Sequence, residues 1–108
     1  MIYITQIIYI KEGKEDAFLE FENFAIPLMN KYNGNLIHRV RPNKETYIDG
    51  VEEIPYEIHF ISFESQDDLN NFMEDDSRNE FIHLKNESVK STLIVIGKWK
   101  IYGTQHHI

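Results

Sequence analysis

Residues 2–10, IYITQIIYI, and the run that follows them, KEGKEDAFLEFENFAIPLMNKYNG to Gly34, decide the fold of this chain. The first nine residues alternate. Ile2, Ile4, Gln6, Ile8 and Ile10 share one parity, and Tyr3, Thr5, Ile7 and Tyr9 share the other. Successive side chains of a strand point to opposite faces, so the two sets meet different surroundings. The isoleucine face, with its one glutamine, reads as a helix-covered core. The Tyr/Thr/Ile face reads as an interface or a partly wet cavity. After the turn Lys11-Glu12-Gly13-Lys14 the apolar period becomes helical. Ala17, Phe18, Phe21, Phe24, Ala25, Leu28, Met29 and Tyr32 form the stripe of a helix over residues 15–32. Glu15, Asp16, Glu20, Glu22 and Asn23 are assigned off that stripe. Pro27 removes one backbone hydrogen bond and is expected to bend the helix. Asn33-Gly34 supplies the stop.

Working outward, the same plan repeats with its order changed. Residues 35–41 read as a second strand and residues 56–63 as a third. Between them, residues 42–55 form a polar connection longer than a hairpin turn, of the kind that is often functional or mobile. Ser65-Gln66-Asp67-Asp68 opens a helix with a capping-box pattern, and Leu69, Phe72 and Met73 are its stripe. Glu74-Asp75-Asp76 interrupts it. Ser77-Arg78-Asn79-Glu80 restarts it, and it runs to about Lys90. Residues 92–102 are the last strand, and residues 103–108 a polar tail. The order β-α-β-β-α-β is the ferredoxin-like α+β plan: a four-stranded antiparallel sheet with its helices on one face. The other face is apolar and bare. Residues 1–108 therefore read as one domain that forms a homodimer through its sheet.

Composition narrows the class. The chain has 11 Lys and Arg against 18 Asp and Glu, a net charge of −7, and 42% hydrophobic residues. An acidic chain without clustered basic residues argues against a nucleic-acid surface and against an anionic membrane. No apolar run approaches the roughly 20 residues of a membrane span. Met1 leads directly into strand residues, with no signal-peptide pattern, so a cytoplasmic protein is the expectation. There is no cysteine, which excludes disulfides, thiolate nucleophiles and Cys-ligated metals.

Strong catalytic motifs are absent: no phosphate-binding glycine loop, no nucleophile elbow, no H-E-x-x-H. The candidates are polar residues forced onto apolar faces. Gln6 stands among four isoleucines, and a buried amide left without a partner costs about 1–3 kcal/mol. His59 alternates with Ile58 and Phe60 in the third strand, where a half-buried imidazole can act as a general base or meet an acidic ligand. Glu57 has the same parity and can fix the orientation of that ring. Lys85 lies on the helix face of Phe81, Leu84 and Ser88, from which it either snorkels to the rim or holds an oxyanion under the helix. His83 falls about 200° from Phe81 on the same wheel, which favours solvent. Trp99 shares parity with Leu93, Val95 and Ile101, and reads as packing. His106-His107 on the tail has no third ligand, so no metal site is expected. Tyr3, Tyr9, Tyr56 and Phe60 are assigned to the bare sheet face.

Several phrases, together with the order of elements, make the chain resemble the dimeric α+β barrel superfamily. They are Lys11-Glu12-Gly13-Lys14-Glu15 after strand one, Tyr32-Asn33-Gly34 closing helix one, and Phe63-Glu64-Ser65 before helix two. Arg78 to Lys85, with Ser91-Thr92-Leu93 and Gly97, resembles an uncharacterised branch in which a basic residue commonly stands at the place of Lys85. The resemblance spans the whole chain and includes antibiotic-biosynthesis monooxygenases and heme-degrading monooxygenases. It implies a homodimer with a small pocket between sheet and helices in each subunit. It further implies oxidation of an aromatic or enolisable substrate with dioxygen, commonly with no cofactor. The heme-degrading members use an Asn on strand one, a Trp ending strand three and a His on the last helix; the matching positions here are Gln6, Phe63 and His83.

The resulting expectation is a cofactor-independent monooxygenase. His59 is its base, and Gln6 and Lys85 stabilise the oxyanion. Phe63, Glu57, His83 and Phe21 complete the substrate site. The alternatives are a non-catalytic binder of a small molecule and a heme-binding protein.

Overall fold

The computed structural model describes residues 1–98, the last of them by its backbone only. The elements run β1 (Ile2–Ile10), α1 (Glu15–Leu28), a 3-10 turn (Met29–Tyr32), β2 (Gly34–Val40), β3 (Glu57–Phe63), α2 (Gln66–Met73), α3 (Asp76–Ser88) and β4 (Val89–Lys98). The four strands pair antiparallel, in the spatial order β2-β3-β1-β4. This is the expected β-α-β-β-α-β plan, with the second helical region divided in two.

Each boundary has a local cause. Gly13 enters the first turn at a φ of 79°, a conformation that favours glycine. Pro27 lies near the end of α1, which tightens into the 3-10 turn two residues later. Asn33 then takes a left-handed conformation, φ 57° and ψ 32°, and ends the helical run. The Ser65 hydroxyl caps α2 by accepting from the Asp68 amide at 3.1 Å. Asp75, rather than Ser77, caps α3: its carboxylate accepts from the Arg78 amide at 2.9 Å. It also accepts from the Tyr32 hydroxyl, which ties the end of the first helical run to the start of α3. β4 begins at Val89, three residues before the sequence-based start. Trp99, Ile101, the tail and His106-His107 lie outside the described residues.

The register fixes which residues share a face. Gln6 stands opposite His59 on one side and Ile94 on the other, and His59 stands opposite Arg39. Gln6, His59 and Arg39 therefore belong to the face of Ile4 and Ile8, both buried. α1, the 3-10 turn, α2 and α3 cover that face, and Phe18, Phe21, Ala25, Met29, Leu69 and Phe72 pack down from them. A buried aromatic such as Phe18 contributes about 1.5–3 kcal/mol by leaving water. Phe63, fully buried, closes the sheet end of this core. It passes so close to Gly34 that a Cβ there would stand 2.5 Å from the ring.

The opposite face carries Tyr3, Thr5, Ile7, Phe60 and Val95. Tyr3 and Phe60 stack at 5.6 Å, and His38 extends the stack at 6.3 Å from Phe60. Leu93 and Val95 are each 57% exposed. Tyr56, expected on this face, departs from it. It lies just before β3, so strand parity does not govern it, and its ring packs edge-on to Phe18 beneath Arg41.

Candidate functional site

Between the sheet and the helices lies a cleft of about 210 Å³. Its walls are mostly apolar, with Ile4, Ile8, Phe21, Ile61 and Phe63 among them and Ile94 and Ile96 at the β4 side. Polar side chains line it as well: Gln6 from β1, His59 from β3, Glu22 from α1, Asn70 from α2, Arg78 and Lys85 from α3, and Thr92 from β4. None of the cleft's lining residues comes from the 42–55 connection.

His59 is 3% exposed, and its Nε2 lies 2.8 Å from Oε1 of Glu57, itself 1% exposed. Glu57 also accepts from Arg39, Nε at 2.8 Å and a terminal nitrogen at 3.2 Å, and from Arg41, Nε at 3.1 Å. Burial raises the Glu57 carboxyl, but the hydrogen bonds from Arg39, His59 and Arg41 prevail and hold it below its ordinary value. An ionised carboxylate only accepts, so His59 Nε2 carries the proton. The Nδ1 lone pair is left on the other side of the ring. Burial also lowers the basicity of His59, outweighing the hydrogen bond and charge of Glu57, and the positive charge of Arg39 adds to the lowering. His59 is thus a neutral imidazole with a fixed tautomer. Glu57 is not itself part of the cleft wall; it stands behind His59 and orients it.

The second group is built differently. Glu22, half-buried, makes no hydrogen bond among the described residues. Burial pushes its carboxyl up to about 7, against the attraction of Arg39, Lys85 and Arg78. Lys85, half-buried, is lowered by burial and by Arg78, with Glu22 opposing. Arg78 is 6% exposed and its guanidinium lies over the rings of Phe72 and Phe21, at 5.1 and 5.7 Å. Its Nε is buried without a hydrogen-bond partner among the described residues. One terminal nitrogen reaches the Met73 carbonyl at only 3.5 Å. The Gln6 amide likewise makes no hydrogen bond among the described residues.

Of the sequence-derived candidates, Gln6, His59, Lys85, Phe21 and Phe63 therefore meet in one cleft, and Glu57 supports it from behind. His83 does not join them. It is exposed on the outer side of α3, with Nδ1 3.1 Å from the Glu80 carbonyl, as its wheel angle requires. Two charged cleft residues were missed. Glu22 is four residues after Phe18, which places it about 40° from that residue and within the buried stripe. Arg78, read only as part of a capping box, is seven residues before Lys85. Two helical turns return nearly to the same angle, so the pair shares a face.

A heme does not fit these residues. Gln6 and Phe63 replace the Asn and Trp, and His83 faces away. Among the described residues no three metal-ligating side chains converge, and no helix is long and apolar enough to cross a membrane.

No family model and no curated protein matches the chain. Solved structures do. A protein of unknown function from Rhodopseudomonas palustris superposes with a TM-score of 0.80 at 10% identity, covering 94% of this chain and 83% of that one. A NIPSNAP family protein of unknown function from Agrobacterium tumefaciens gives 0.68 at 19% identity, covering 96% and 92%. A candidate antibiotic biosynthesis monooxygenase from Nitrosomonas europaea gives 0.69 at 12% identity, covering 92% and 98%. These structures share the ferredoxin-like α+β fold, and this chain has that fold. Identities this low speak for the fold alone.

Proposed function

We propose that the cleft binds a small, largely apolar molecule with an acidic C–H or O–H and begins its oxidation by removing that proton. The observation that carries this reading is the convergence of Gln6, His59, Glu22, Arg78 and Lys85 on one apolar cleft. Of these, His59 is held in one tautomer by Glu57 and offers Nδ1 as the base. Gln6 stands directly opposite His59 in the sheet and donates to the developing oxyanion. Lys85 supplies positive charge from above.

The monooxygenase form of this reading needs dioxygen as co-substrate. The carbanion's electron pair forms a C–O bond to dioxygen, and the peroxide takes up a proton. Loss of water from the hydroperoxide then leaves a carbonyl, so one oxygen atom enters the substrate and the other leaves as water. Oxygen uptake with 2-tetralone, an enolisable two-ring ketone, tests it. His59→Ala should lower the enzyme-dependent rate by about 10²–10⁴-fold while the circular dichroism spectrum is retained. Uptake unaffected by that substitution removes the base. Tight binding of 2-tetralone with its quantitative return in air instead supports a non-catalytic binding protein.

We also propose that the open sheet face is covered by a second copy of the chain. What supports this is an apolar, aromatic-rich face with Leu93 and Val95 in water, a surface monomers seldom expose. Val95→Asp should convert a dimer into a monomer in sedimentation velocity. A wild-type chain that sediments as a monomer at micromolar concentration ends this reading.

A further inference from the structure

At the Arg78 end of the cleft lies a buried donor that nothing among the described residues satisfies. Arg78 enters from the first turn of α3 and is 6% exposed. Two aromatic rings, Phe21 and Phe72, hold its guanidinium plane. Its Nε is buried with no hydrogen-bond partner among the described residues. Such an orphaned donor is uncommon in folded proteins, because the desolvated N–H has nothing in exchange for water. The nearest acid in the cleft does not cure it: Glu22 forms no hydrogen bond to Arg78. Lys85 adds a second cation about 10 Å further along the same helix face.

Guanidinium groups match carboxylates in a planar, two-point geometry that an ammonium does not reproduce. The remainder of the wall is apolar. We infer that the cleft selects an apolar acid, whose carboxylate is held by Arg78 while its body lies along the isoleucine and phenylalanine walls toward His59. This rests on the small-molecule reading above and narrows it to a substrate class: carboxylic acids that also carry an enolisable or phenolic group. In that pose the carboxylate fixes one end of the molecule, and the acidic C–H or O–H reaches Gln6 and His59 at the other. Glu22 lines the same cleft and feels the charges of Arg39, Glu57, Lys85 and Arg78. Its carboxyl is pushed up to about 7 by burial, so it is largely uncharged below that pH and then adds little repulsion to a bound anion.

The test is isothermal titration calorimetry of the full chain with 2-naphthoate and octanoate, each against its neutral primary amide. Measurements are made at pH 6 and low salt, on the wild type, Arg78→Met and Arg78→Lys. At least one acid should bind ten-fold or more tighter than its amide. Arg78→Met should abolish that preference while amide binding persists. Arg78→Lys, which keeps the charge if the Met variant fails to fold, should retain only part of it. An acid preference undiminished in either variant overturns the role of Arg78. Equal binding of acid and amide, with both lost on filling the cleft by Ala25→Phe, overturns the inference and leaves the small-molecule reading standing. No binding of any probe by the wild type overturns both.

Discussion

Glu57 and Glu22 are carboxyls on the inner side of the same sheet, and they are in opposite states. Glu57 is almost completely buried, yet it accepts hydrogen bonds from two arginines and a histidine and stays ionised. Glu22 is less deeply buried, has no hydrogen-bonding partner among the described residues, and is pushed toward neutrality. Depth alone therefore does not set the charge of a buried acid; the donors aimed at it do. The Glu57 group is closed and structural, and it hands one oriented imidazole to the cleft. The Glu22 group is open, with its cations still able to take on a partner.

The largest effect should come from opening the closed group. Glu57→Gln leaves Arg39 and Arg41 without their shared anion. Because both arginines are partly exposed, water recovers some of the loss, and urea unfolding at pH 7 should show a decrease of about 2–3 kcal/mol. A loss below 0.5 kcal/mol would make the network dispensable and erase the contrast.

Glu22→Gln should act in the opposite direction and only at high pH. The folded chain holds a proton on Glu22 up to about 7, whereas the unfolded chain releases it near 4.5. Between these values the native state binds more protons, so this residue makes stability fall as pH rises. Above pH 7 the folded chain carries the full penalty of a buried carboxylate. The substitution should therefore stabilise the chain by up to about 3 kcal/mol at pH 8 and by almost nothing at pH 4. Equal urea midpoints for the two proteins at both pH values refute the buried state of Glu22.

The smallest effect should come from Lys85→Met. A half-buried ammonium with no hydrogen bond among the described residues contributes little to the fold, and the change in stability should be within about 1 kcal/mol of zero. Its consequence belongs to ligand binding. A loss near that of Glu57→Gln would mean that Lys85 is structural.

Strand parity and helical period were sufficient for the fold, because the two faces of β1 differ so sharply. They also brought Gln6, His59, Lys85 and Phe21 to attention as residues out of keeping with, or central to, an apolar face, while Phe63 came from the family resemblance alone. Parity alone could not assign His59, since both faces of its strand carry apolar residues; the antiparallel register with Gln6 does so. Arg39 and Arg41 gave no sequence signal of their own, since pairing with Glu57 depends on β2 lying beside β3. Glu22 was legible from the same 100° arithmetic that placed its neighbours. It was passed over because glutamate on a helix is usually solvated. Tyr56 misled for the reverse reason: its parity extends a strand that has not yet begun.

The close approach of Gly34 to Phe63 ties the dimensions of the cleft to a residue that lines none of it. The two positions divide one fixed volume: a methyl group at 34 demands a smaller or displaced side chain at 63. Phe63 is a cleft wall. A lineage that trims this ring to admit a bulkier ligand thereby releases position 34 from glycine, and one that keeps the ring keeps the glycine with it. The two residues are expected to covary, and ligand size in this fold can be inherited as a pair of compensating changes, one of them at the sheet's edge.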